Sequence, residues 1–171
     1  MTVTVRPAHT DELSRVGELT LAAYQADDLL VEDDSYAASL RDAVTRAREA
    51  ELYVAVLADP LRHPDDPGEA MGTVTFCPQG SPWSELAQPG EGEFRMLAVD
   101  PAVRRRGVAE ALVGACLERS RELGYTAVVL SSLPVQQPAH RIYQRLGFRR
   151  TPDRDWSPAE GVDLLAFRLE L

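Results

Sequence analysis

The first residues alternate between polar and apolar side chains, with Val3 and Val5 set among Thr2, Thr4 and Arg6. That period of two predicts a half-buried opening strand. The period then lengthens. Leu13, Val16, Thr20 and Ala23 recur at three- and four-residue intervals, predicting a helix with Thr10 as its N-cap. An acidic stretch over 27–34 interrupts the pattern, and a second helix is predicted from about Ser35. Its apolar face carries Tyr36, Leu40, Ala43, Val44 and Ala47. Residues 52–58 and 71–76 read as the strands of an antiparallel hairpin with a long Pro/Asp/Gly-rich tip. Three prolines and three glycines mark 78–92 as a loop, and 94–99 is a strand stopped by Asp100-Pro101. A helix is predicted over 107–123, with Val108, Leu112, Ala115, Cys116 and Leu123 apolar and Gly124 ending it. Residues 127–130 form an unbroken apolar run, as in strands buried on both faces. A short helix over 138–146 ends at Gly147, and strands at 148–150 and 162–169 finish the chain. No repeat or linker divides the sequence, so one domain over 1–171 is expected.

Composition narrows the partners. The formal net charge is −9, which argues against nucleic acid. No apolar run reaches the roughly 20 residues that span a bilayer, and residues 1–6 lack the apolar stretch of a signal peptide. Cys77 and Cys116 have neither metal-ligand nor disulfide-framework spacing. A cytoplasmic location is therefore expected, with no membrane partner. The charge is uneven: residues 1–60 hold twelve Asp or Glu against five Arg, whereas Arg104, Arg105 and Arg106 are consecutive. Every one of the 18 Lys-plus-Arg positions is arginine.

The densest chemistry lies at 94–109, where a strand feeds a basic turn that enters a helix at Gly107. Helix N-terminal amides lack internal acceptors and carry the positive end of the dipole, so they receive phosphate. Small residues at Gly107 and Ala109 let a pyrophosphate approach the backbone. Alone, Arg-x-x-Gly-x-Ala reads equally as an arginine-rich helix entry without a ligand. Its setting resembles motif A of the GCN5-related N-acetyltransferase (GNAT) superfamily. Leu97-Ala98-Val99 matches the family's strand, and Arg104-x-x-Gly107-x-Ala109 matches its pyrophosphate loop. A second segment, Ala139-His140-Arg141-Ile142-Tyr143-Gln144-Arg145-Leu146-Gly147-Phe148, resembles the family's A-x-x-L/I-Y-x-x-x-G-F helix. With the element order, the resemblance implies an α+β fold with a mixed, largely antiparallel central sheet flanked by helices.

The resemblance further implies an acetyl-CoA-dependent N-acetyltransferase, with acetyl-CoA as co-substrate and direct attack by a primary amine. The cofactor is expected against Leu97, Ala98, Val99, Arg104, Arg105, Arg106, Gly107, Val108 and Ala109. Its pantetheine would pair with Leu97 and Val99 like an added strand, where the strand ending at Val99 splays from that of 127–131. An amide near Leu97 would polarise the thioester carbonyl. Family members often place Asn seven residues before the motif tyrosine; here Gln136 stands there and offers the same amide from a longer stem. Glu93 is the candidate base, against a plain strand-end carboxylate paired with Arg95. Tyr143 is the candidate acid for the leaving thiolate, against a tyrosine that only anchors its helix.

Cys116 reads as core, and His9, His63 and His140 show no metal spacing, with His140 expected on the helix surface. Trp156, in an expected loop over 152–158, reads equally as an acceptor-site wall or a cover for the sheet edge. Asp27, Asp28, Glu32, Asp33 and Asp34 would favour a cationic acceptor, or simply form a solvated loop. The acceptor is expected to be a small amine or a peptide N-terminus, and homodimerisation is left open. Lacking lysine, the chain offers itself no lysine side chain to acetylate. Two other readings are a non-catalytic acyl-CoA sensor of the same fold and an unrelated nucleotide-binding domain with a parallel sheet.

Overall fold

The structure, a computed structural model, describes residues 2–30, 34–57 and 67–171, with only the backbone of residue 34. In chain order the strands are β1 (Val3–Pro7), β2 (Glu51–Leu57), β3 (Ala70–Cys77), β4 (Glu91–Val99), β5 (Ala127–Ser132), β6 (Arg149–Arg150), β7 (Trp156–Ala159) and β8 (Val162–Glu170). The helices are α1 (Leu13–Ala26), α2 (Asp34–Arg41), α3 (Ala43–Glu49), α4 (Val108–Glu122) and α5 (Gln137–Arg145). This is the mixed, largely antiparallel α+β architecture expected. The chain forms two compact units, Met1–Thr75 with Met96–Ala115 and Phe76–Arg95 with Cys116–Leu171. Strands β3 and β4 and helix α4 contribute residues to both.

In the first unit the strand order is β1-β2-β3-β4. Strand β1 runs antiparallel to β2, from Val3↔Leu57 to Pro7↔Tyr53. Leu13, Val16, Ala43, Leu52, Val54 and Ala70 close a core beneath α1 and α3. The expected cap at Thr10 is not made. Thr10–Glu12 is instead a 3-10 turn, in which the His9 amide donates to Glu12 Oε1 at 2.8 Å. Arg6 grips the same carboxylate with bonds of 2.5 and 3.1 Å. The predicted second helix is divided at Asp42, whose carboxylate accepts from the Thr45 amide at 3.0 Å and caps α3. A side-chain acceptor competing with the helix ladder explains the break. Two glycines admit close packing. A Cβ on Gly17 would sit 2.0 Å from the Arg41 carbonyl oxygen, and one on Gly72 would sit 2.6 Å from Val108 Cγ1.

In the second unit the order is β4-β5-β8-β6, with β7 paired to β8. Strands β4 and β5 are parallel, from Glu91↔Ala127 to Glu93↔Val129. Their pairing ends there, while β5 continues antiparallel to β8 as far as Ser132↔Leu165. Residues 127–130 are buried, as the unbroken apolar run predicted. Strand β4 begins three residues before its predicted start. Glu91 and Glu93 interrupt the apolar pattern, yet both are buried. The expected loop over 152–158 also needs correction: it contains a 3-10 turn at Pro152–Arg154, and Trp156 begins β7 opposite Leu164. The tip expected between β2 and β3 falls largely outside the described residues.

Candidate active site

In the first unit, β4 delivers Met96–Val99 to the turn before α4. Met96 is buried yet has φ 53°, a left-handed backbone inside a strand. For a residue with a side chain this costs about 1–3 kcal/mol, and it re-aims the peptide leading to Leu97. Leu97 and Val99 are half-buried, while Ala98 is buried. The strand is stopped as predicted: Asp100 Oδ1 accepts from the Ala102 amide at 2.9 Å, opening the 3-10 turn Pro101–Val103.

The basic turn follows. Arg105 and Gly107 both have left-handed backbones, with φ of 62° and 80°. A Cβ on Gly107 would meet nothing within 4 Å, so the backbone there faces open space. The Gly107 carbonyl accepts from the Ala111 amide at 3.0 Å and starts the α4 ladder. An open backbone, a helix N-terminus and three exposed arginines fit a diphosphate group. Arg104 is not idle in this structure: its guanidinium pairs with Asp27 through bonds of 2.7 and 3.0 Å. Asp27, expected to attract a cationic acceptor, is thereby neutralised. Glu32 and Asp33, from the same expectation, lie outside the described residues, as does His63.

The second unit holds Glu93, Gln136 and Tyr143. Glu93 is fully buried. Its Oε2 accepts from Ser84 Oγ, the Glu85 amide and the Leu86 amide at 2.9 Å each, and from the Ala87 amide at 3.0 Å. Its Oε1 is buried with no hydrogen-bond partner among the described residues. The simple pairing with Arg95 does not occur. Arg95 instead bonds Glu85 and the Trp83 carbonyl, each at 3.0 Å, and lies 6.0 Å over the Trp83 ring. Burial raises the Glu85 carboxyl above its ordinary range, with Arg95 opposing and Glu93 adding to the shift. Nearby, burial pushes the Cys77 thiol up to about 12, helped by Glu93 and Glu85 against Arg95 and Ser81. A thiol in that state is no nucleophile.

Two residues along β4, Glu91 continues the same clasp. Its Oε2 accepts from the Gln88 amide at 3.0 Å. Arg154 reaches both Glu91 oxygens, at 3.1 and 2.9 Å, and Arg168 Nε donates to Oε1 at 2.8 Å. Burial works against the Glu91 charge, but Arg154, the Gln88 amide and Arg168 outweigh it and hold the carboxyl below its ordinary range. Strand periodicity places residues 91 and 93 on one side of β4, so two carboxylates gather donors from five consecutive residues, 84 to 88. Sequence reading missed this clasp because the loop shows only Pro and Gly signals. The alternation of Glu91 and Glu93 was its one trace.

Tyr143 lies on α5 and is buried, its ring within 6.0 Å of Phe94, Phe148 and Phe167. Burial first, and Cys116 second, raise its phenol above the ordinary range. The hydroxyl therefore stays protonated at neutral pH. Gln136 Oε1 accepts from Ser132 Oγ at 2.9 Å and from the Leu133 amide at 2.8 Å. His140 is buried, correcting the expected surface position, and its Nε2 lies 3.0 Å from Ser132 Oγ. Burial lowers its pKa, opposed by a hydrogen bond to the Leu133 backbone. Trp156 is half-buried, with its Nε1 buried and unpartnered among the described residues. Among the described residues no His/Cys/Asp/Glu group could hold a metal ion, and no helix is long and apolar enough to cross a membrane.

The profile of the Acetyltransferase (GNAT) family matches residues 17–148. The chain belongs to this GNAT family. An uncharacterized N-acetyltransferase of Schizosaccharomyces pombe is 33% identical over 63% of this chain. The match spans 60% of that relative's length. A GNAT-family acetyltransferase of Staphylococcus aureus Mu50 superposes with a TM-score of 0.72 at 13% identity, covering 99% of both chains. The PaiA N-acetyltransferase of Thermoplasma acidophilum, solved in complex with coenzyme A, gives 0.70 at 12% identity over the whole of both chains. At such identities the structural likeness is one of fold.

Proposed function

We propose that residues 1–171 act as a single N-acetyltransferase domain that moves the acetyl group of acetyl-CoA to a primary amine by direct attack. The acceptor is a small amine or a peptide N-terminus. The observation that carries this reading is the left-handed, open-faced turn at Arg105–Gly107 running into α4, within a chain of the GNAT family.

Acetyl-CoA supplies an acetyl group activated as a thioester. Gly107, Val108 and Ala109 would hold its diphosphate through backbone amides, with Arg104, Arg105 and Arg106 adding charge. Leu97, Ala98 and Val99 would hold its pantetheine arm through the β4 backbone, and the Gln136 amide would add a further contact. The strained Met96 backbone supports a role for the following amide in drawing charge onto the acetyl carbonyl oxygen.

An acceptor ammonium with an ordinary pKa of about 10 must lose a proton before it attacks. Glu93 takes that proton at Oε1, its unpartnered oxygen, and because it is fully buried the proton reaches it through an intervening water. Tyr143 stays protonated and gives its proton to the departing thiolate, its ring held by the aromatic cluster. The same burial of Glu93 and Tyr143 also suits a sensor that binds acyl-CoA without turnover. One experiment separates the two: free-thiol release from acetyl-CoA across a panel of small amines and peptides. Acceptor-dependent thiol release supports the enzyme, whereas calorimetric binding without release on any acceptor supports the sensor.

A further inference from the structure

The Ser84–Glu93 contact assigns work to a loop that the reaction does not otherwise use. Four donors converge on one carboxylate oxygen, Glu93 Oε2, and none among the described residues reaches Oε1. Three of the four are backbone amides of Glu85, Leu86 and Ala87. The fourth, Ser84 Oγ, is the one side-chain donor in the set, and it lies 2.9 Å away. The loop does not depend on this bond for its place. Arg154 Nη2 holds the Leu86 carbonyl at 2.5 Å, and Glu91 Oε2 holds the Gln88 amide at 3.0 Å.

We infer that Ser84 is a positioning residue for proton removal: with the 85–87 amides it saturates Glu93 Oε2 and leaves Oε1 to receive the acceptor's proton. Donors clustered on one oxygen favour the ionised carboxylate and fix its plane. Removing one of them makes the ionised form less favourable without emptying the core, since Ser84 is half-buried. The inference rests on Glu93 acting as the base.

The test compares kcat/KM against pH for wild type, Ser84→Ala, Ser84→Thr and Glu93→Gln, with one acceptor so that its own ionisation is common to all. In Ser84→Ala the acidic limb should move up by about one pH unit, the scale of one hydrogen bond to a charged group. Ser84→Thr, which keeps the hydroxyl, should restore it. Acetyl-CoA affinity by calorimetry should match wild type throughout. A limb that disappears in Glu93→Gln but stays at its wild-type position in Ser84→Ala overturns the role of Ser84 alone. So does a loss of rate in Ser84→Ala that is equal at every pH. A limb that survives in Glu93→Gln overturns the base assignment itself, and Ser84's role with it.

Discussion

Arg104 and Asp27, 77 positions apart in sequence, form a two-bond ion pair between the residue after α1 and the basic turn before α4. A helix end and a candidate phosphate-binding turn are thus tied by charge. Both side chains are more than a third exposed, at 38% and 43%, so the pair contributes little to stability. Its effect falls on ligand charge. A diphosphate held at the turn, as proposed, would compete with Asp27 for the Arg104 guanidinium.

Asp27→Asn should therefore tighten acetyl-CoA binding by about two- to fivefold, the range an exposed pair of up to about 1 kcal/mol allows. The gain should be largest at low ionic strength, where such charges are least screened. Calorimetry at two salt concentrations checks both statements. Unchanged affinity at low salt would mean that Arg104 and the phosphates do not meet.

Gly107 combines a left-handed backbone with open space beyond its Cα. Gly107→Val should weaken acetyl-CoA binding at least tenfold, because a branched side chain would fill that space. The fold should lose only about 1–2 kcal/mol from the backbone conformation. Thermal unfolding and calorimetry on one preparation separate the two effects. Wild-type affinity in the folded variant would remove the diphosphate from this turn.

Tyr143→Phe keeps the ring among Phe94, Phe148 and Phe167 and deletes only the hydroxyl. The melting temperature and acetyl-CoA affinity should hardly change. Turnover in the chemistry-limited regime should fall about 100-fold, as expected when a general acid is lost. An unchanged rate would leave Tyr143 as packing alone.

Glu91→Gln should destabilise the protein by about 3 kcal/mol at neutral pH, because it leaves half-buried Arg154 without its counter-charge. The folded-state pKa of Glu91 is lowered, so its stabilisation is present above the ordinary carboxylate value of about 4.3 and is lost as pH falls below that. The gap between variant and wild type should narrow in denaturant titrations below pH 4. A gap independent of pH would show that shape, not charge, is what Glu91 supplies.

Element type and order were legible wherever periodicity tracked burial: α1, β5 and the stops at Gly124 and Gly147 follow their patterns, and α4 does so except at Leu123, which is exposed past its end. The reading failed where polar side chains are buried. Arg46, absent from the apolar face read for the second helix, is fully buried and bonded to Thr75, Thr20 and the Leu40 carbonyl. Glu91 and Glu93 concealed the start of β4, and His140 looked like a surface residue because nothing local reveals Ser132 beside it. The open turn before α4 was legible as a turn because glycine and arginine at fixed spacing leave a mark in the sequence. The clasp on Glu93 was not, since three of its four donors are main-chain groups that any residue supplies.

The Leu133 amide also settles something about Gln136. A main-chain N–H can only donate, so the glutamine atom beside it must be oxygen, and the side-chain amide cannot turn over without losing that bond. With its oxygen occupied by Ser132 and Leu133, the end of Gln136 left for a visitor consists of N–H groups alone. In the proposed complex those groups would suit a carbonyl and not another donor. Gln136→Glu is nearly the same shape and keeps both inner bonds, yet it reverses the sign of that outer end.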